Sequence, residues 1–389
     1  MSIKAFQPQQ GRLIVAGAYF AGLSGLLFVL YLLTFVAPDA LRRRRSPSFK
    51  QRLEEENHRR ERLEKADRAA QKRGGVLVLL LILTGLIAAL LAQSHALTRA
   101  RTIERQAAQE HTQLRQAATE AARLALQRLA DDPDLTVDAL SEDWAVEQTE
   151  QTPLGIQTQV SVRDEQAFFD LNNLAAPNSP GRRASEDIAM DLQTLCGDFA
   201  PSAKTSALRD FVDEDTDGAR ETDFYRRLVP PATCPNRALY GWREILHVDG
   251  WSEEQLARRP RASAMDGFNA SLIDHATLIP VARTRPIPIN VNTASRETLR
   301  AVMGIEQDAL VDTVLVLREI HPIRQLDVFS ITAGPETFDR LQPFLDVRSH
   351  YFRIRARAER DGRRAAVETL VKREDDGRVL VLQWVEEPS

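Results

Sequence analysis

The densest group of metal-ligand side chains lies between residues 211 and 225, which read FVDEDTDGARETDFY. Calcium takes about six to eight oxygen ligands, and several carboxylates on one flexible loop can supply them. The opening D-x-D-x-D-G is similar to an EF-hand loop, but Phe224 stands where an EF-hand has its bidentate glutamate. The run predicts either a calcium loop of another kind or a solvated acidic turn. The candidate ligands are Asp213, Asp215, Asp217, Glu221 and Asp223.

Other reactive side chains are few and scattered. Two cysteines, Cys196 and Cys234, are too few for a disulfide-dense scaffold or a four-cysteine metal site. The seven histidines show no H-E-x-x-H spacing, and the sequence holds no G-x-S-x-G elbow or phosphate loop. We therefore expect a protein that is not an enzyme.

Two apolar runs dominate the first hundred residues. Residues 13–36 and 74–92 carry no charge, and each can span about 30 Å of hydrocarbon as a helix. The segment between them, 39–73, is rich in Arg and Lys, so the positive-inside rule places it in the cytoplasm. Its mixed charges also permit a solvated helix. The region after Ala92 is then outside, which is the periplasm in a bacterium with an outer membrane.

An oxidising periplasm bears on the two cysteines. Disulfides form and persist in that compartment. We therefore expect a Cys196–Cys234 bridge, with two unpaired thiols as the alternative.

The second apolar run continues without Gly or Pro from Ser94 to Ala130, in residues that favour helix. This predicts one helix over 76–130, ended by Asp131–Asp132–Pro133. Residues 155–162 alternate as a half-buried strand does, and three further strands are predicted at 351–359, 364–372 and 379–385. The chain between these strands is mostly helical. The expected fold is α+β: a long N-terminal helix packed on an antiparallel sheet, with an all-α domain inserted between strands.

A series of segments resembles one family in order, from about residue 72 to 386. Lys72–Arg73–Gly74–Gly75 before an apolar run resembles a prepilin-peptidase site. The other segments are VSVRDEQAFFDLNNL at 160–174, the acidic run at 211–225, the segment 230–251 ending in RALYGWREILHVDGW, INVNTA at 289–294 and SHYFRIRAR at 349–357. Together they resemble the K-type minor pseudopilins of type II secretion systems.

The resemblance implies a pilin-like fold with a helix-hairpin-helix-like or SAM-like insertion. It divides the chain into an extra membrane segment (1–38), a basic cytoplasmic loop (39–75), the pilin helix (76–130), the first part of the sheet (131–175), an inserted α-domain with the acidic loop (176–285), a second helical module (286–345) and the returning strands (346–389).

The resemblance also implies processing, partners and a metal. Prepilin peptidase would recognise the Gly74–Gly75 pair, cleave after Gly75 and leave Val76 as the new amino terminus. The fifth mature position, usually Glu in pilins, is then Leu80, which fits a tip subunit. Expected partners are the I- and J-type minor pseudopilins and the inner-membrane secretion platform, and calcium is the expected cofactor.

Two other functions stay open. INVNTA also resembles the start of a helix-hairpin-helix DNA-binding module, as in competence proteins. Its hairpin, 303–308, keeps one glycine and carries two acids that would repel phosphate. The net charge of −4 and the 6% aromatic content give no reason to expect nucleic acid as a partner. Since 75 residues with their own span precede the cleavage-like site, an uncleaved two-span anchor or sensor is the other alternative.

Overall fold

The computed structural model describes residues 49–178, 183–198, 200–257, 271–282 and 284–387. The predicted first membrane segment, 1–38, lies outside these residues. The chain divides into two compact units, Met1–Leu97 and Thr98–Ser389.

Helix α1 runs from Phe49 to Ala130 and contributes to both units. Within the described residues, its part from Val78 is the one helix long and apolar enough to cross a membrane. The predicted start at Val76 is wrong, because the basic segment is itself helical from Phe49. That segment is rich in Glu, Arg, Lys and Ala, which favour helix, whereas each glycine at 74 and 75 costs only about 1 kcal/mol.

The described residues of the second unit form nine strands. They are β1 (Gln148–Gln151), β2 (Gln157–Asp164), β3 (Phe169–Asp170), β4 (Ala276–Thr277), β5 (Ile289–Asn290), β6 (Leu345–Asp346), β7 (Tyr351–Arg360), β8 (Arg363–Arg373) and β9 (Val379–Glu387). Five of them make one antiparallel sheet in the order β1-β2-β7-β8-β9. The helical insertion therefore lies between β2 and β7, which are neighbours in the sheet. The predicted fold class is confirmed.

The sheet packs on the second half of α1. Small side chains on the helix, among them Ala118, Ala122 and Ala125, are buried against Ile354 and Val367 of the sheet. Alanines let the helix axis approach the sheet closely. Trp144 closes this core and meets the Phe352 ring edge-on, with 5.2 Å between ring centroids. The pairing of an amphipathic helix with one face of the sheet buries both.

The insertion is mainly helical and has its own core. Its helices are α2 (Ser185–Leu195), α3 (Pro201–Val212), α4 (Thr222–Arg226), α5 (Trp242–Ile245), α6 (Glu253–Ala257), α7 (Arg296–Met303), α8 (Asp308–Ile320), α9 (Asp327–Ala333) and α10 (Pro335–Leu341). The prediction of an all-α insertion needs one correction. Two short parallel pairs, β3–β4 and β5–β6, join its two ends to segments within it.

Buried asparagines hold the connections of the insertion. The side chain of Asn172 donates to the carbonyl oxygens of Leu239 and Ile279 and accepts from Leu239 N–H. Asn173 makes the same two-way contact with Ile287. An amide side chain can imitate a strand partner in this way, because it offers both a donor and an acceptor. These contacts give long connections the hydrogen bonds that buried main chain requires.

The INVNTA segment works in the same way. Asn290 Nδ2 donates to Asp138 O and Ser349 Oγ, both at 2.9 Å. The Asn292 side chain is paired in both directions with the main chain of Ile323. The hydrogen bonds of this motif therefore connect the helical module to the segments that lead into the sheet.

A fully buried arginine joins the helix end to the sheet. Arg373, at the end of β8, has no exposed surface and donates to Asp132 Oδ2 at 2.7 Å, to Asp138 and to Ser349 O at 3.3 Å. Its guanidinium also lies 4.9 Å from the centroid of the Phe352 ring. One side chain thus links the residues just after α1, the connection to β1, the start of β7 and β8.

Removing this guanidinium should destabilise the second unit strongly. Arg373→Ala leaves two buried carboxylates without their cation, and breaking such a pair costs about 3–5 kcal/mol. Arg378→Ala is the matched control, since its pair with Asp376 is exposed and should matter little. Urea unfolding of the detergent-solubilised chain, followed by tryptophan fluorescence, measures the difference. Equal unfolding midpoints for the two variants would refute this role.

Candidate metal centre

The acidic loop connects α3 to α4 and brings three of the five predicted ligands together. Carboxylate oxygens of Asp213, Asp215 and Glu221 lie within 4.8 Å of one another. Asp213 follows the last residue of α3, and Glu221 precedes the first residue of α4. Asp213 and Glu221 are each only 8% exposed. The helix ends therefore fix the two buried carboxylates, and the loop between them carries the third.

Three buried oxygens of this cluster lack a hydrogen-bond donor. They are Asp213 Oδ1, Glu221 Oε1 and Asn236 Oδ1. A buried acceptor without a partner is unfavourable by about 1–3 kcal/mol. Asp213 and Glu221, which carry two of these oxygens, bring carboxylate oxygens within 4.8 Å of each other and of Asp215, and Asn236 lies beside them. Hard oxygen donors of this kind are the ligands that calcium prefers. The residues present therefore fit a calcium ion.

Asn236 was missed in the sequence analysis. Its Nδ2 donates to Asp215 O at 2.6 Å and to Glu221 Oε2 at 3.3 Å, which places the amide beside the carboxylates. Its backbone has a φ of +44°, a conformation that asparagine tolerates better than most residues. No local pattern connects it to the acidic run, because the intervening chain has little regular structure.

Burial and mutual repulsion make the cluster hard to ionise by itself. Burial, followed by the charges of Asp215 and Glu221, raises the pKa of Asp213 to about 6, and Arg209 opposes this only in part. Burial also raises the pKa of Glu221. A cation among these oxygens would reverse both effects, because it favours the ionised form of each carboxyl group.

A glycine shapes the loop around Asp210. A Cβ built on Gly218 would overlap the Asp210 carboxyl group. That carboxyl accepts from Arg220 N at 2.9 Å, and Arg220 Nε in turn donates to Asp249 Oδ2 at 2.6 Å. The close approach that glycine allows lets Asp210 hold the second half of the loop in place.

The other two predicted ligands lie outside the cluster. The side chain of Asp223 is 86% exposed, with Arg226 at 3.5 Å. Asp217 is exposed, and its contribution is a main-chain N–H donated to Asp215 Oδ1 at 2.8 Å. It therefore orients a candidate ligand instead of supplying one.

The predicted Cys196–Cys234 disulfide is contradicted, since both residues are free, buried thiols. They face different surroundings. Cys196 lies near Lys204 and Trp251, whereas Cys234 Sγ donates to Asp210 O at 3.3 Å. Burial raises the pKa of Cys196 to about 12 and that of Cys234 to about 11, so both thiols stay protonated and unreactive.

The processing residues lie inside a continuous helix. Gly74 and Gly75 fall within α1 and not at its start. Val76 is 63% exposed and Leu80 is 58% exposed in the first unit. The span around the fifth-position equivalent is therefore an uncovered apolar helix surface.

A second acidic cluster already has its cation. Asp132, Asp138 and Glu142 also bring carboxylate oxygens within 4.8 Å of one another, but Arg373 donates to the first two. Burial raises the pKa of Glu142 to about 7, although Trp144 Nε1 donates to it at 2.5 Å. This cluster therefore functions as a structural ion-pair network.

The helix-hairpin-helix-like module is built from α7 and α8. Gly304 between them has a φ of +114°, and the side chains of Glu306 and Arg183 lie where its Cβ would be. A carboxylate thus lies against the hairpin at the point where a phosphate-binding module would present free N–H groups.

Comparisons with known proteins agree with this architecture. No protein-family model matches the chain. Type II secretion system protein K of Aeromonas hydrophila is 24% identical over 282 residues, which cover 67% of this chain and 80% of that protein. A chain from the crystal structure of the GspK-GspI-GspJ complex of enterotoxigenic Escherichia coli has the same fold, with a TM-score of 0.55 and 22% identity over 74% of this chain and 100% of that one. This chain is a relative of the K-type minor pseudopilins.

The recognition of the K-type family from ordered segments is thereby confirmed. In this K-type relative, the segments that carried the resemblance have clear structural tasks. VSVRDEQAFFDLNNL contains the second part of β2, the whole of β3 and Asn172, and INVNTA contains Asn290 and Asn292. Most of them serve the junction of sheet and insertion.

Proposed function

We propose that this K-type relative is a non-enzymatic minor pseudopilin at the tip of a type II secretion pseudopilus. The observation that carries the proposal is the insertion of a large helical domain between adjacent strands of a pilin-like sheet. Such a bulky domain on the pilin scaffold suits the end of a filament, since nothing has to stack above it. The subunit would assemble with I- and J-type minor pseudopilins to initiate the filament and aid protein export.

Leu80 supports a position at the tip. In pilins, a carboxylate at the fifth mature position pairs with the amino terminus of a neighbouring subunit, and an unpaired charge in lipid is expensive. A leucine makes no such pair, so this subunit would not need a neighbour above it. A leucine at this position would also suit an uncleaved membrane anchor. Cleavage after Gly75 would therefore distinguish a tip subunit from an anchor.

The proposed location is the bacterial inner membrane, with the large C-terminal region in the periplasm. The basic residues before Val76 and the apolar, exposed helix after it support this orientation. The inner-membrane secretion platform and prepilin peptidase would be met at the cytoplasmic face.

Calcium is the proposed cofactor. Asp213, Asp215, Glu221 and Asn236 would hold it, and main-chain or water oxygens would complete its shell. The bound ion would supply positive charge that keeps the buried carboxylates ionised. These residues would in turn join the end of α3, the start of α4 and the segment at 236.

Co-purification tests the proposed assembly. The full chain, tagged at its C-terminus, is expressed with the I- and J-type minor pseudopilins of its host and solubilised in mild detergent. We expect all three subunits to elute together. Recovery of this chain alone, under conditions where the other two still associate, would argue against a pseudopilin role.

Calcium should stabilise the chain more at neutral than at acidic pH. Without metal, the folded pKa of Asp213 at about 6 exceeds its ordinary value of 3.8. The protonated Asp213 carboxyl group therefore adds to the free energy of unfolding below pH about 4, and this contribution is lost as pH rises through about 6. Bound calcium requires ionised carboxylates, so it should offset this loss. At about a hundred times its dissociation constant, it should add about 2.7 kcal/mol.

Thermal melting in calcium and in chelator, at pH about 5 and about 7.5, measures this effect. Asp213→Asn should abolish the calcium-dependent shift, whereas Asp223→Asn, at an exposed site outside the cluster, should retain it. Identical melting of the wild-type chain in calcium and in chelator at both pH values would exclude the site.

We also predict a mature form that begins at Val76 and that Gly75→Trp abolishes. A bulky side chain should block the close backbone approach that glycine allows at the peptidase. Gly85→Trp is the matched control, since it puts the same side chain elsewhere in the span, where a Cβ meets open space. Amino-terminal sequencing of the C-terminally tagged chain reads the result. Only full-length protein in a secretion-competent cell would favour the uncleaved anchor.

A further inference from the structure

The last residue of β2, Asp164, lies buried where the sheet meets the insertion, and it is only 2% exposed. One carboxyl oxygen, Oδ1, accepts a hydrogen bond from Gln166 N at 2.7 Å. The other, Oδ2, accepts from Thr293 Oγ1 at 2.5 Å and from Ser349 Oγ at 2.6 Å, with a longer contact from Asn290 Nδ2 at 3.4 Å. This carboxyl group therefore connects the end of β2 to the insertion and to the residues just before β7.

All of these donors are uncharged, and the cations on the neighbouring strands are paired elsewhere. Among the described residues, no ion pair includes Asp164. The basic side chains of β7 and β8 that lie closest to this region belong to other pairs, which are Arg373 with Asp132 and Asp138, and Arg353 with Glu165. The Asp164 carboxyl group therefore has no counter-charge among these residues.

Two further titratable groups lie on elements packed near Asp164, and both have other contacts. The Nδ1 atom of His350 lies 3.0 Å from a main-chain oxygen at the end of β8. Arg318 of α8 donates to two main-chain oxygens of the segment 289–294, at 2.9 and 2.6 Å. The charged neighbour that affects Asp164 most is Asp138, a carboxylate, and it opposes ionisation.

The hydrogen bonds around Asp164 can accept a proton without leaving a group unpaired. When the carboxyl group is ionised, both hydroxyl groups donate to Oδ2. When Oδ2 carries a proton, it donates to Thr293 Oγ1, and the Thr293 hydroxyl turns to the carbonyl oxygen of Asn290, 3.4 Å away. The Ser349 hydroxyl still donates to Oδ2 and still accepts from Asn290 Nδ2 at 2.9 Å. A neutral carboxylic acid thus satisfies the site and avoids a buried charge.

We infer that Asp164 is a proton-binding site that makes the junction between the sheet and the insertion sensitive to pH. The junction is the place where the end of β2, the segment 289–294 and the residues just before β7 meet. The neutral acid holds these segments together by hydrogen bonds, whereas the ionised form puts an uncompensated charge in a buried site near Asp138. Loss of the proton therefore loosens the junction. The inference is independent of the proposed function, since it uses only contacts within the second unit.

The pKa of Asp164 agrees with this geometry. Burial raises it from 3.8 to about 7, and the hydrogen bonds from Ser349 and Thr293 oppose this only in part. Because the folded pKa exceeds the unfolded one, the proton stabilises the fold. This contribution is complete below pH about 4, decreases above it and is lost once pH has risen through about 7.

Asp164→Asn tests the proton directly, since its amide imitates the neutral acid and does not titrate. Urea unfolding of the detergent-solubilised full chain, followed by tryptophan fluorescence, gives the folding equilibrium constants of both proteins. From pH about 5 to about 6.5, we expect the ratio of the wild-type to the variant constant to fall about tenfold per pH unit, which corresponds to one proton. Asp376→Asn is the matched control, since that carboxyl group is exposed and should leave the pH dependence unchanged. A wild-type to Asp164→Asn ratio that stays constant over this range would overturn the inference.

Native-state hydrogen exchange gives a local readout that does not require Asp164→Asn to fold. In the segment 289–294, the main-chain N–H groups of Val291 and Ala294 are hydrogen-bonded and report opening of the junction. Their protection, corrected for the intrinsic exchange rate at each pH, should fall in the wild-type chain as pH rises from about 5 to about 8, the range that spans the folded pKa. Mass spectrometry of the exchanged peptides measures it.

Glu142→Gln is the control for this readout. Burial also raises the pKa of Glu142 to about 7, but its carboxyl group accepts from Trp144 and lies in the connection before β1. Glu142→Gln should therefore keep the fall in protection at 289–294, and Asp164→Asn, where it folds, should abolish it. Protection that does not change with pH in the wild-type chain, or a fall that only Glu142→Gln abolishes, would overturn the inference.

Discussion

The structure of the second unit depends on one buried guanidinium. Arg373 is the only basic side chain among the described residues that is both fully buried and paired with two carboxylates, Asp132 and Asp138. Burying these charges is unfavourable unless the geometry satisfies them. The pairing therefore requires the end of α1, the connection that follows it and the end of β8 to meet at one point. The hydrophobic core can tolerate small displacements, whereas this ion-pair network fixes the relative position of three segments that are remote in sequence.

Two adjacent carboxyl groups, on Asp164 and Glu165, have pKa values that shift in opposite directions. Burial raises the pKa of Asp164 to about 7, since its hydrogen bonds from Ser349 and Thr293 only partly compensate. Burial would also raise the pKa of Glu165, but Arg163 and Arg353 hold it below its usual value. Glu165 is thus a charged link between β2 and β7, whereas Asp164 gathers neutral hydroxyl and amide donors from the insertion. The chain passes here from the sheet into the insertion. Glu165 forms an ion pair with Arg353 of the sheet, and Asp164 accepts a hydrogen bond from Thr293 of the insertion.

Sequence patterns predicted the elements whose burial is periodic. Strands β7, β8 and β9 were predicted within a few residues, because apolar alternation and Asp-Gly turns mark hairpins. β1 was missed, since an exposed edge strand of polar residues has no alternation. The start of α1 was misplaced because membrane topology, and not helix propensity, was taken as its boundary. At the candidate metal centre, local spacing identified Asp213, Asp215 and Glu221, while the position of Asn236 depends on tertiary folding that no local pattern encodes.

The position of the acidic cluster explains why a cation would be useful there. Between α3 and α5 the chain has one helix of five residues, α4, so few main-chain hydrogen bonds order it. Loops of this kind sample many conformations, and fixing each residue costs about 1–2 kcal/mol. Carboxylates that repel one another when ionised add to this cost. The proposed calcium would remove the repulsion and would connect the two ends of the loop to Asn236 through one centre. The insertion would thereby gain order from an ion instead of a larger core.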